Sequence, residues 1–266
     1  MANTWVLFEE SSVIAEENGW IEPSNDLVRA YANQWLSDED NADGYFFDTF
    51  GIDFRKIRRE ETALNKLADR VRKDPQSEDL LVAFVTTLDS IYGTRLKSPV
   101  NTAYNLFPIV RDDRLIETIC QVGKGSDLKE RAQIVDIIAT IDKVDDKSNN
   151  YAYSFATKFC SRFAPDTFPI FDSFAAGLLY HYLGRNAKRG WRASLGSYET
   201  YLSVYDGLIG QYKLEDFSYR EIDYFLWTYG KQLKQVVDTW NKNNPASKRK
   251  SPYDHGAGIQ YKEFNQ

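Results

Sequence analysis

Two side chains in the middle of the chain have the type and the placement to do chemistry. Asp172 closes the run Phe168-Pro169-Ile170-Phe171-Asp172-Ser173, a proline turn that opens onto a helical pattern. A carboxylate fixed there can stabilise positive charge developing on a substrate or take a proton from an attacking water. It is equally a good helix N-cap, and the two roles are compatible. Lys158 lies upstream, in the helical segment Tyr151 to Phe163. Its amine reads as a nucleophile, as a phosphate contact or as solvated helix surface.

The elements that position these groups must come from a chain of 266 residues, long enough for one large core or two small lobes and for a cleft. Aromatic residues make up 15% against a single Met, so stacking surfaces are available. The net charge of −6 weighs against a protein that coats nucleic acid non-specifically, because that affinity needs many Lys and Arg contacts to phosphate. A localised cationic face remains open: acidic residues gather at Glu9-Glu10, Glu16-Glu17 and Asp38 to Asp43, basic ones at Lys188-Arg189 with Arg192 and at Lys248-Arg249-Lys250. No apolar run is long enough to span a bilayer, and the N-terminus lacks a basic start followed by an apolar stretch, which points to the cytoplasm and away from membranes. Cys120 and Cys160 each sit in an apolar helical pattern and read as reduced, buried packing residues. No Cys or His pair has metal-ligand spacing, His181 and His255 stand alone, and neither a metal nor a cofactor is expected.

Helical periodicity dominates and predicts a mainly α protein. Apolar residues recur at spacings of three and four over Leu27 to Leu36, Arg58 to Arg72, Asp79 to Tyr92, Leu115 to Val122 and Lys129 to Ile141. The same period runs through Tyr151 to Phe163, Ser173 to Tyr182, Ser197 to Gln211 and Tyr219 to Asn241. Ser77 with Glu78, Ser126-Asp127, and Ser218 followed by Glu221 mark helix starts. The aromatic stretch Asn41 to Ile57 breaks the period and reads as a short β-hairpin or an aromatic loop. Three parts are expected: an N-terminal helical and aromatic segment over 1–78, the main helical domain over 79–242, and a polar basic tail over 243–266.

The stretch Asn149 to Cys160 followed by Phe168-Pro169-Ile170-Phe171-Asp172-Ser173 resembles the end of the helix-hairpin-helix DNA glycosylase motif. Leu88 to Leu96 and Ile222 to Trp227 agree with that superfamily in order, and the resemblance covers Asp79 to Gly230, as a divergent bacterial member similar to 8-oxoguanine and adenine glycosylases. It implies a two-lobed helical fold with a helix-hairpin-helix element, acting on double-stranded DNA that carries a damaged or modified base, in base-excision repair or defence against phage. On that reading Asp172 and Lys158 are the catalytic residues, and Tyr92, Arg95, Ser154, Asp223 and Trp227 line the base pocket, with Phe171 and Tyr224 as further stacking faces. Asn149, Asn150, Ser173, Lys188, Arg189 and Arg192 would meet DNA phosphates. The chain departs from the family in two places. Asp146 to Tyr151 replaces the usual glycine-rich hairpin, and the family's lysine spacing falls near Tyr153-Ser154 rather than on Lys158. Excision needs a carboxylate because cleaving the N-glycosidic bond builds positive charge on the sugar, and it needs a flipped base. Either water or a lysine amine can complete it. The alternative is a noncatalytic DNA- or protein-binding module that keeps the same helical fold.

Overall fold

The computed structural model describes residues 23–36, 51–123, 125–141, 152–183 and 197–243. Within them the protein is mainly helical, with no strand. The helices are α1 (Asn25–Leu36), α2 (Phe54–Lys73), α3 (Glu78–Tyr92), α4 (Pro99–Arg111), α5 (Leu115–Gln121), α6 (Leu128–Thr140), α7 (Tyr153–Phe163), α8 (Ser173–Leu183), α9 (Tyr198–Tyr212) and α10 (Tyr219–Asn243).

Several ends follow from short polar residues. Ser24, Ser77, Ser98 and Asp127 each accept a hydrogen bond from a backbone N–H in the first turn of α1, α3, α4 and α6. At the start of α10 the expected reciprocal cap forms: the Ser218 N–H donates to the Glu221 carboxylate at 2.9 Å, and the Glu221 N–H donates to Ser218 Oγ at 3.2 Å. Helix α3 ends at Gly93, whose left-handed backbone (φ 55°) suits glycine.

Three expectations need correction. Helix α4 is not among the expected helices, although its buried Ala103, Leu106 and Val110 recur at helical spacing; Pro108 within it reads as a helix break. Pro99 occupies its first turn, where a missing N–H costs nothing, and Pro108 sits near its end. Phe54 to Ile57, read as part of a non-helical aromatic stretch, begin α2; 51–53 are non-helical, and the rest of that stretch, 41–50, lies outside the described residues. Cys120 is exposed rather than buried, one turn after Ile116 near the end of the short helix α5, with its Sγ towards the Phe163 carbonyl. Cys160 is buried, and burial pushes its thiol up.

The chain folds as two compact units that interleave along the sequence. The first comprises 1–55, 173–194 and 204–266; the second comprises 56–172 and 195–203. In the first, α10 packs on α1 and α8. Tyr31 donates from its hydroxyl to Gln232 at 2.7 Å, Trp35 donates from Nε1 to Thr228 at 2.8 Å, and Trp35 stacks on Tyr224 at 4.3 Å. Gly230 lets α10 approach α8: a Cβ at this position would stand 2.8 Å from the Cβ of Phe174. Gly230→Ala is therefore expected to lower stability by about 1–3 kcal/mol through overpacking, outweighing the helix-propensity gain of Ala. Gly210→Ala, on the exposed face of α9 with nothing within 4 Å, is expected to raise stability by about 0.5–1 kcal/mol. Thermal unfolding of the two variants checks both signs.

In the second unit α3 packs against α4 and α7, α7 against α5 and α6, and α4 against α5. Phe84, Phe155, Phe159 and Phe163 form its aromatic centre. Helix α7 is buried over nearly its whole length, which places Lys158 inside the protein. No helix among the described residues is long and apolar enough to cross a membrane.

Candidate functional site

The segment joining α7 to α8 is buried from Thr167 to Ile170, and a buried loop must find partners for its backbone. The second unit supplies them one by one. Arg131, 1% exposed, donates from Nη1 to the Thr167 carbonyl at 3.1 Å. Tyr198 donates to the Pro169 carbonyl at 2.9 Å and Tyr201 to the Ile170 carbonyl at 2.7 Å. The Thr167 hydroxyl donates to the Val122 carbonyl at 3.1 Å. The Phe171 N–H donates to Thr157 Oγ1 at 3.1 Å, tying the turn back onto α7 one residue before Lys158. Phe168 stacks on Tyr198, and Phe171 meets the edges of Tyr153 and Tyr201. The chain thus arrives at Asp172, half-buried and directly before α8, along a path with little freedom.

Beside this turn α7 carries a polar stripe at a spacing of four, Ser154, Lys158 and Arg162, which places all three on one helix face. Lys158 is 5% exposed and donates from Nζ to Ser154 Oγ at 2.8 Å. Its Nζ lies 5.2 Å from the centre of the Tyr92 ring, and the Arg162 guanidinium carbon lies at the same distance from that ring. Glu61 on α2 completes the group. It accepts from both terminal guanidinium nitrogens of Arg162 at 2.7 Å, and the Tyr92 hydroxyl donates to it as well. Arg162 also donates to Asn65 at 2.9 Å. The Arg162 and Glu61 side chains are 4% and 13% exposed, so this is an ion pair largely out of water, of the kind that fixes geometry more surely than it adds stability. The outcome is a lysine amine held at a fixed height on α7 with a hydroxyl and an aromatic face against it.

Of the residues expected from the sequence, Tyr92, Ser154 and Lys158 come together, and the solvated-surface reading of Lys158 is overturned by its burial among α7's neighbours. Arg95 stands apart in the loop between α3 and α4, exposed and with left-handed backbone (φ 63°). Asp89 holds that loop by accepting from the Thr94 hydroxyl and the Leu96 N–H. Asp223 and Trp227 belong to the first unit. There Asp223, 7% exposed, accepts from the Tyr205 hydroxyl at 2.8 Å, while Trp227 sits edge-on to Trp35 and Phe174 with Lys231 over its face. Ser173 is the exposed first residue of α8. Asn149, Asn150, Lys188, Arg189 and Arg192 lie outside the described residues.

Sequence reasoning missed Glu61, Arg162, Thr157 and Arg131. Arg162 could have been found from its spacing of four to Lys158; nothing in the sequence links Glu61 to it across 101 positions. Tyr153 also gains a significance that its type alone did not carry. Its hydroxyl is buried with no hydrogen-bond partner among the described residues, and burial, reinforced by the charge of Asp136, pushes the phenol up and keeps it protonated.

A family model described as HI_0787_N, N-terminal domain, matches residues 27–167. The match contains Glu61, Tyr92, Ser154, Lys158 and Arg162 and stops before Asp172. Over 84 residues the chain is 34% identical to an uncharacterized protein of Haemophilus influenzae, an alignment that covers 31% of this chain and 39% of that protein. The matched stretch therefore spans well under half of that relative's length. No solved structure matches the chain.

Proposed function

The chain belongs to the HI_0787_N, N-terminal domain family, and we propose that it is a DNA glycosylase that excises a damaged or modified base, using Lys158 as the attacking amine and Asp172 as the carboxylate beside the sugar. The observation that carries this reading is the burial of Lys158. Lysine is rarely buried, since removing an ammonium from water costs several kcal/mol, and a buried amine fixed on one helix face is where a nucleophile would be held. Here the amine sits 2.8 Å from the Ser154 hydroxyl, on the helix to which the turn bearing Asp172 is hydrogen-bonded.

The chemistry that these groups can perform is specific. With its proton given up, the Lys158 amine bonds to C1′ of the deoxyribose while the glycosidic bond breaks and its electron pair leaves with the base, which takes up a proton. Opening of the sugar ring then gives a C1′ imine, and loss of a C2′ proton expels the 3′-phosphate and cuts the strand. Asp172 stabilises the positive charge on the sugar as the base departs. The face of Tyr92 is occupied by Lys158 and Arg162, so in this reading Tyr92 positions the two cations and does not stack on the flipped base.

The test is incubation with duplexes bearing single damaged or modified bases, followed by gel analysis with and without alkali. Strand cleavage at one class of base supports the proposal. Salt-sensitive DNA affinity without base release from any substrate would support the noncatalytic binding module in its place.

A further inference from the structure

The second unit holds a cavity of about 640 Å³ that is separate from the lysine and its neighbours, where the end of α2 and the turn after it meet the end of α4 and the helix α5. That volume is within the range of small-molecule sites. Val110 and Ile116, 1% and 2% exposed, give it an apolar floor. Three guanidiniums line it, those of Arg72, Arg111 and Arg114, against two carboxylates. Each carboxylate is already engaged by an arginine close to it in sequence: Arg111 holds the adjacent Asp112 through two hydrogen bonds at 2.7 Å, and Arg114 meets Glu117, three residues on, at 2.5 Å. Arg72 is left over. Among the described residues it makes a single hydrogen bond, from Nη2 to the Phe163 carbonyl at 2.9 Å, which fixes the guanidinium at the cavity but leaves its charge uncompensated and most of its five donors unused. In a chain of net charge −6 this is a local excess of positive charge over an apolar floor.

We propose that this cavity binds a small organic oxyanion, with one carboxylate or phosphate group on Arg72 and a short apolar body against Val110 and Ile116. A planar guanidinium with free donors takes a two-oxygen headgroup through paired hydrogen bonds, and the floor repays removal of the ligand's apolar part from water. Neutral apolar ligands leave the Arg72 charge unmet, and cations are repelled by it.

The cavity contains its own reporter. Cys120 lines it and is exposed, whereas Cys160 is buried, so a neutral alkylating reagent such as iodoacetamide modifies Cys120 while Cys160 stays unreactive as long as the fold is intact. The probes are benzoate and phenyl phosphate, with benzyl alcohol as the neutral counterpart. At a concentration about tenfold above its dissociation constant, a bound probe slows Cys120 alkylation by about tenfold. The relative effect of benzoate and phenyl phosphate tells which headgroup is preferred. Arg72→Gln keeps an N–H for the Phe163 carbonyl and removes the charge; it is expected to abolish protection while Cys160 remains unreactive. Absence of protection by both oxyanions, equal protection by benzyl alcohol, or undiminished protection in Arg72→Gln would each overturn the proposal. If Cys160 becomes reactive in Arg72→Gln, the same comparison is made in Arg72→Lys, where the charge persists without the fork. Weakened protection supports the site and unchanged protection overturns it.

Discussion

Replacing Arg131 with Met is expected to destabilise the chain by about 2–4 kcal/mol, the largest loss foreseen for any single side chain described above. Met keeps most of the volume, so the loss is electrostatic and not a cavity. The variant removes a charge-assisted hydrogen bond and leaves the Thr167 carbonyl without that partner inside the protein. Arg131 is 1% exposed and belongs to α6, so no water replaces it. Tyr201→Phe removes one neutral hydrogen bond, to the Ile170 carbonyl, and is expected to cost about 1 kcal/mol. Urea denaturation of the two variants reads the difference as a shift in midpoint at constant slope. Equal midpoints for Arg131→Met and the unaltered protein would mean that Arg131 does not hold the turn that leads to Asp172.

Asp172→Asn is expected to reduce base excision by about 10²–10⁴-fold while leaving the unfolding midpoint nearly unchanged. The pairing of these two readouts gives the variant its force. Asn is as good a helix N-cap as Asp, so a residue that only begins α8 tolerates the change in both measurements. A carboxylate that stabilises charge on a sugar cannot be replaced by a neutral amide, because the negative charge is what acts. DNA affinity at fixed salt should be retained or slightly raised, since one negative charge has been removed from the protein. Full excision by Asp172→Asn would remove the aspartate from the chemistry.

The helices were legible because their apolar residues recur with the period of a helix and their starts carry Ser or Asp caps; α4 has the same period and a Ser98 cap, but Pro108 inside it reads as a break. Within the site, legibility follows distance along the chain. Ser154 and Lys158 share one face of one helix and could be grouped by counting, and Arg162 obeys the same count. Glu61 joins them only through folding, as a carboxylate on α2 that meets a guanidinium far along the sequence. The burial of Lys158 was equally hidden, since a lysine within an apolar pattern looks like solvated helix surface until the packing of α3 against α7 brings Tyr92 over it. The turn before Asp172 was recognisable as a turn. What holds it, a buried Arg on α6 and two Tyr hydroxyls on α9, has no local signature.

The central claim, that the buried Lys158 amine attacks the sugar, is tested most directly by covalent trapping. The protein is incubated with a duplex containing an abasic site in the presence of borohydride, which reduces an imine to a stable amine. The cross-linked peptide is then identified. The account predicts a protein–DNA adduct on Lys158 that disappears in Lys158→Gln, a substitution that can still hydrogen-bond to Ser154. An adduct that persists in Lys158→Gln, or base release by the unaltered protein with no adduct at all, would contradict it and assign the attack to another amine or to water.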